Sequence, residues 1–147
     1  MTRVALLDVN ALVALFDPDH VHHEAVHGWF AANRGFGWAT CPLTENGLIR
    51  ILSNPAYAGA LETPAAISRR LRVFCASGNH VFWADEVSLR DSRLFARTAP
   101  ATHRQVTDVY LLGLAKRKGG RLATFDGGIP LLAVAGATHT HLEIIPA

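Results

Sequence analysis

The chain has 147 residues, 50% of them hydrophobic and 18% charged, a length that suits one domain able to bury an apolar core without disulfides or structural metal. No apolar run approaches a bilayer-spanning length, and the opening Met1-Thr2-Arg3-Val4 lacks a signal peptide's long apolar stretch, so a cytoplasmic protein with no membrane segment is expected. The formal charge of +2 is too small to mark a nucleic-acid binder by itself, while the apolar surplus leaves side chains for self-association or a partner surface.

In chain order, Val4 to Leu7 is the first strand candidate, with Asp8 directly after it. The next helix is expected to open with Asp19 near its N-cap and to carry His20, His22, His23 and His27 partly exposed over Val26, Trp29 and Phe30. Those histidines beside Asp17, Asp19 and Glu24 also form a pattern that binds transition metals, a second reading that stays open. Trp38 to Cys41 is the second strand candidate, and Glu45 follows it by a few residues.

Thr63-Pro64 is an N-cap and first-turn pair, after which Ile67, Leu71, Phe74 and Cys75 repeat on one helical face. Val81 to Trp83 is a third strand; Asp85, Glu86 and Asp91 in the polar stretch beyond it read as turn and cap residues. Val106, Val109, Tyr110, Gly113 and Leu114 mark another helix, closed by Lys116-Arg117-Lys118 and Gly119-Gly120, which suit a helix C-terminus by charge and by conformation. Arg121 to Phe125, followed at once by Asp126, and Leu142 to Ile145 complete the strand set.

Strands alternating with helices over short connections predict an α/β fold, a mainly parallel sheet of four to five strands with helices on both faces. No repeat, linker or low-complexity tract divides residues 1–147, so a single domain is expected. Cys41 and Cys75, far apart and flanked by apolar residues, read as buried reduced thiols rather than a disulfide or metal pair. Trp29, Trp38 and Trp83 sit in apolar patterns and read as core or interface before they read as base-stacking platforms.

The informative pattern is the placement of acids. Asp8, Glu45 and Asp126 each follow a strand exit, and ligands of open parallel sheets bind outside the carboxyl ends of the strands. Asp108 interrupts the apolar run Val106-Thr107-Asp108-Val109-Tyr110-Leu111-Leu112, where an uncompensated carboxylate is costly. A shared divalent cation relieves both that burial and the mutual repulsion of clustered carboxylates, and oxygen-only donors suit Mg²⁺ or Mn²⁺ rather than zinc. Singly, each acid has a plainer reading: Asp8 and Asp126 as helix N-caps, Glu45 as a first-turn residue offsetting the helix dipole, Asp108 as an exposed helical acid.

Leu7-Asp8-Val9-Asn10, Thr44-Glu45, Thr107-Asp108-Val109-Tyr110-Leu111-Leu112 and Thr124-Phe125-Asp126 occur in the order found in PIN domains, and the chain resembles VapC-type toxins along essentially its whole length. Asn54-Pro55, Thr63-Pro64 and Phe82-Trp83-Ala84-Asp85 are similar to a toxin subgroup common in mycobacteria and related actinobacteria. The resemblance implies an Mg²⁺- or Mn²⁺-dependent endoribonuclease whose catalytic and metal-holding acids are Asp8, Glu45, Asp108 and Asp126, with Asn10 and Thr124 supporting them by hydrogen bonds. Asn10 and Thr124 read equally well as local turn or capping residues. The resemblance also implies a homodimer inhibited by a small VapB-type antitoxin whose tail occupies the acidic groove.

Metal-assisted attack of water on the phosphodiester leaves a 5′-phosphate and a 3′-hydroxyl, the reverse of a histidine-based ribonuclease. A polyanion approaching an acidic site needs cations nearby, and Arg50, Arg104, Lys116 and Arg117 are the candidates for contacting RNA. Arg69, Arg70, Arg72 and Lys118 fit solvated helix faces as well. The alternative from another class is a PIN-like RNA-binding or regulatory module in which the acids hold a structural cation. An aspartyl-phosphate phosphatase is disfavoured, because Leu7-Asp8-Val9-Asn10 lacks its second aspartate.

Overall fold

The computed structural model describes residues 3–57, 62–95 and 102–147; Met1 and Thr2 of the opening segment lie outside it. Its sheet has 5 parallel strands, β1 (Ala5–Leu7), β2 (Trp38–Thr40), β3 (His80–Phe82), β4 (Arg121–Thr124) and β5 (Leu142–Ile144), in the order β3-β2-β1-β4-β5. The helices are α1 (Val9–Phe16), α2 (His23–Asn33), α3 (Pro42–Leu52), α4 (Pro64–Cys75) and α5 (Val106–Arg117). From β1 the chain builds outward through β2 to β3, then crosses to β4 and β5 on the other side. The order therefore reverses between β1 and β4, and the carboxyl ends of those strands open the crevice where such sheets bind ligands.

Strand alternation sends successive side chains to opposite layers. Leu6 and Leu122, paired in register, pack on the α5 side with Leu111, Leu112 and Leu114. Leu7, Ala123 and Trp38 face the other layer, where α1 to α4 supply Leu12, Val26, Leu48, Ile67 and Leu71. Helices on both faces and a parallel sheet are what the strand–helix alternation implied.

α4 begins as expected, with Pro64 in its first turn and the Thr63 hydroxyl accepting from the Ala66 N–H at 3.1 Å. α2 does not. Its N-cap is His22, without a side-chain capping bond, whereas Asp19 donates its backbone N–H to Asp17 Oδ1 at 3.0 Å in a turn centred on Pro18. The Asx turn uses the capping chemistry that the sequence offered to the helix.

Trp38 and Trp83 are 1% and 5% exposed and belong to the core, while the half-buried Trp29 ring lies beneath the Arg121 guanidinium at 5.6 Å. Cys41 is buried on the α5 side, and Cys75 is half-buried against the other layer; both are free thiols. No helix among the described residues is long and apolar enough to cross a membrane.

Gly120, between α5 and β4, shows how closely these layers meet. A Cβ there falls 2.6 Å from the Val4 carbonyl oxygen and 2.5 Å from the Trp83 ring, and the carbonyl belongs to the β1–β4 ladder, where Arg121 N–H donates to it. Gly120→Ala is expected to destabilise the fold by about 1–3 kcal/mol. Gly35→Ala, which meets nothing within 4 Å, is the control with little effect, both read by urea denaturation.

Candidate active site

Asp8 ends β1 and starts α1. Its backbone N–H donates to the Ala123 carbonyl at 2.9 Å, extending the β1–β4 ladder by one residue, and Oδ1 accepts from the Val9 N–H at 2.7 Å. The N-capping role is real, but it occupies one carboxylate oxygen. Oδ2 accepts from the Thr124 hydroxyl at 2.7 Å, across the switch point. Only 5% exposed, Asp8 has its pKa raised, chiefly by burial and slightly by the Asp126 charge, against the lowering effect of these two hydrogen bonds.

Thr124 is the hub. Its Oγ1 donates to Asp8 and accepts from Asn10 Nδ2 at 3.1 Å and from the Asp126 N–H at 3.0 Å. Asn10 Oδ1 accepts in turn from the Phe125 N–H at 3.3 Å, so the start of α1 is laced to the end of β4. Asp126 caps no helix; its Oδ1 accepts from Gly128 N–H at 2.8 Å, which turns an exposed carboxylate over the strand end. Thr124→Val removes the donor to Asp8 while keeping the side chain's shape. If the site is the metal-dependent ribonuclease centre that the resemblance implies, catalytic efficiency is expected to fall about 10- to 100-fold, with Thr124→Ser close to the parent, in a labelled-RNA cleavage assay run over a range of metal concentrations.

Asp108 reaches the same place from α5. A helix that feeds a parallel strand runs antiparallel to it, so the first turn of α5 stands at the carboxyl edge of β4. Burial, the charges of Asp8 and Asp126 and a hydrogen bond to Asp126 together push the Asp108 carboxyl up to about 7. A cavity of about 440 Å³ is lined by Asp8, Asp108 and Asp126, with Asn10, Thr107, His20, Arg50 and Ile51.

Glu45 is not among the residues that line this cavity. It lies in the first turn of α3, as its plainer reading had it, and its Oε2 accepts from the Thr40 hydroxyl at 2.7 Å, with His80 and Cys75 close by. Asp8 follows Leu7, continuing the β1 alternation on the side of Leu6 and the α5 layer, whereas Thr40 follows Trp38 by two residues and faces the α1–α4 layer.

The expected basic residues divide. Arg50 lines the aspartate cavity, and Arg104 is exposed in the turn preceding α5, near the Asp108 end. Lys116 and Arg117 occupy the last turn of α5, roughly 12–14 Å along its axis from Asp108. Arg117 pairs with Asp91 at 3.4 Å, and Lys118 with Glu86 at 3.0 Å. The end of α5 uses these cations as helix-terminal and ion-pairing groups.

Two residues escaped the sequence reading. His20 lines the cavity through a turn whose position only the fold reveals; its Nδ1 accepts from the His22 N–H at 3.0 Å, which leaves the proton on Nε2. The histidine group otherwise disperses, since His23 Nδ1 lies 2.7 Å from the Ala14 carbonyl and the His22 ring stacks on Phe125. Asp85 is more than a turn residue: it accepts from the Leu43 N–H at 3.2 Å and the Tyr110 hydroxyl at 3.0 Å, joining α3 to α5. It follows β3 by a few residues, the same signal that flagged Asp8 and Asp126.

Among the described residues, the donor atoms of the three aspartates do not close to within 4.8 Å of one another. They wall an open basin rather than a complete cage. Carboxylate oxygens of this kind fit a hard divalent cation.

A parallel sheet with carboxylates converging on its switch point defines an α/β protein with an oxygen-donor pocket. The chain belongs to the PIN domain family, whose model matches residues 5–135. It is 44% identical over 141 residues to Ribonuclease VapC44 of Mycobacterium tuberculosis, covering 96% of this chain and 99% of that one. It is also 46% identical over 132 residues to Ribonuclease VapC39 (90% and 95% covered) and 48% identical over 130 residues to Ribonuclease VapC38 (88% and 90%), both of M. tuberculosis.

Proposed function

We propose that this protein is a Mg²⁺- or Mn²⁺-dependent endoribonuclease, the toxin of a toxin–antitoxin pair, cutting RNA to leave 5′-phosphate and 3′-hydroxyl ends. The observation that carries the reading is the meeting of Asp8, Asp108 and Asp126 at the switch point, supported by near-full-length similarity to relatives named ribonucleases. Burial first, and the Asp8 and Asp126 charges second, hold the Asp108 carboxyl up to about 7, so its negative charge is disfavoured in the metal-free cluster; a divalent ion fits that unmet demand. When bound, the cation supplies activation of water and neutralisation of the phosphate charge.

The chain's own groups have separable tasks. Asp8, Asp108 and Asp126 hold the cation, Thr124 and Asn10 fix the Asp8 carboxylate against β4, and Arg50 and the His20 Nε2–H offer donors to a phosphate entering the same cavity. Arg104 extends this positive approach beyond the first turn of α5. The VapB-type antitoxin acts by presenting a basic side chain to the basin, since a cationic head answers the same carboxylate repulsion. Exposed Val73, Phe82 and Leu132 supply apolar surface for the antitoxin and a second copy of the chain.

The decisive experiment incubates purified protein with total cellular RNA and maps the new 5′ ends. Defined cuts bearing 5′-phosphate, present with Mg²⁺ or Mn²⁺ and absent with EDTA, are expected. Cuts that persist in EDTA or end in a cyclic phosphate contradict the reading, and RNA binding without any cutting favours a regulatory module.

A further inference from the structure

One edge of the aspartate basin is aromatic. The ring of His22 lies on that of Phe125, with centroids 4.9 Å apart and planes inclined by 28°, and both side chains are half-buried. Phe125 stands between Thr124 and Asp126, packs in part against the α1–α4 core, and donates its backbone N–H to Asn10 Oδ1 at 3.3 Å. Its place is thereby tied to a residue of the cavity wall.

His22 is the N-cap of α2 yet makes no side-chain capping bond, and its ring nitrogens meet no hydrogen-bond partner among the described residues. Its ring contacts are aromatic, with His20 tilted at 47° beside it at 5.7 Å. His20 lines the basin and accepts the His22 N–H on Nδ1 at 3.0 Å, which couples the phosphate-side donor to the stacked pair. Asp17 anchors the turn that carries both: Oδ1 accepts from the Asp19 N–H at 3.0 Å and Oδ2 from the Tyr57 hydroxyl at 2.6 Å. Val21, between the two histidines, is 86% exposed and leaves an apolar side chain in solvent beside them. His23 and His27 are engaged elsewhere, the first on the Ala14 carbonyl and the second against the His23 ring at 4.5 Å.

A basin with phosphate donors, bordered by stacked rings, matches the two halves of a nucleotide: an ionic phosphate and a base with an apolar π-face. We propose that the His22–Phe125 pair is a stacking platform for an unpaired RNA base next to the scissile phosphate. The proposal rests on the nuclease reading and narrows its substrate. A base inside a duplex has both faces covered by its neighbours, so the cut falls in a loop or a single strand. Because the fold already orders both rings, little conformational freedom is lost when the base arrives.

The test uses an oligoribonucleotide spanning a mapped cut, either intact or lacking the base at one position flanking the cut. KM and kcat are measured with Mg²⁺ for the full-length parent, His22→Ala and His22→Phe, the last of which keeps a flat ring. Phe125 is left in place, since it also packs against the core. In His22→Ala, KM is expected to rise about 5- to 150-fold, the loss of one base–aromatic stack, with a smaller change in kcat, while His22→Phe stays within about threefold of the parent. Removing the base at one flanking position is expected to raise KM of the parent by a similar factor and to leave that of His22→Ala almost unchanged. Abasic and His22→Ala effects that multiply at every flanking position overturn the proposal, as does a His22→Phe variant as impaired as His22→Ala. If the parent cuts no RNA, the nuclease reading fails by itself, and fluorescence anisotropy of a labelled unpaired oligoribonucleotide decides the platform. Binding must then weaken in His22→Ala and recover in His22→Phe; binding unchanged in His22→Ala overturns the proposal.

Discussion

Asp8→Asn is expected to lower RNA cleavage on the order of 10³-fold while the chain stays folded, the scale of losing one preorganised charged group aimed at the reacting centre. The amide keeps the capping bond, since its oxygen can still accept from the Val9 N–H, while the Thr124 hydroxyl, already accepting from Asn10 Nδ2 and the Asp126 N–H, can turn its hydrogen to Asn10 Oδ1 at 3.5 Å. What disappears is the negative charge. Burial already disfavours that charge in the metal-free protein, as the raised Asp8 pKa shows, so the asparagine variant should melt no lower than the parent at pH 8 with EDTA. Single-turnover cleavage of labelled RNA and circular-dichroism melting read the two effects. Cleavage within tenfold of the parent removes Asp8 from the site.

Asp108→Asn is expected to reshape the pH dependence of stability. The Asp108 carboxyl titrates near 7 in the folded chain against an ordinary value of 3.8, so across that interval the folded state binds more protons than the unfolded state. Its contribution to stability is greatest in acid and is lost as pH rises from about 4 to about 7, the opposite of an acid in an ion pair. Asp17 and Asp91, both with lowered pKa, act in the other direction. The diagnostic is therefore the difference between parent and variant. In EDTA the variant's melting temperature should gain on the parent's as pH climbs through that window, and Mg²⁺ or Mn²⁺ should restore the parent selectively at pH 7.5. A difference that does not change with pH contradicts the placement of Asp108 among the other acids. The same substitution is expected to cost cleavage on the scale of Asp8→Asn.

Much of the fold is legible in the sequence. The strand runs were short and apolar, and acids at their carboxyl ends pointed to one edge of a parallel sheet, which is where Asp8 and Asp126 stand. Asp108 was legible as a carboxylate in an apolar helix, although the sequence left its helix start open; the structure places it in the first turn of α5, at that same edge. Glu45 also follows a strand exit, and in the first turn of α3 its carboxylate accepts from the Thr40 hydroxyl, a partner that the sequence does not single out. His20 and the His22–Phe125 pair escaped because they assemble from segments with no shared motif, and only the topology makes them neighbours. Lys116 and Arg117 show the converse limit: a basic run identifies charge, and helix direction decides which end of the molecule carries it.

In the proposed function, Asp8, Asp108 and Asp126 jointly hold the divalent ion on which RNA cleavage depends. Electron paramagnetic resonance of free Mn²⁺ during titration into the metal-free chain tests it most directly, because it reads occupancy without RNA. Saturable binding in the parent, weakened at least about tenfold in each of Asp8→Asn, Asp108→Asn and Asp126→Asn, is the expected result. Binding of Mn²⁺ undiminished in all three variants contradicts the account.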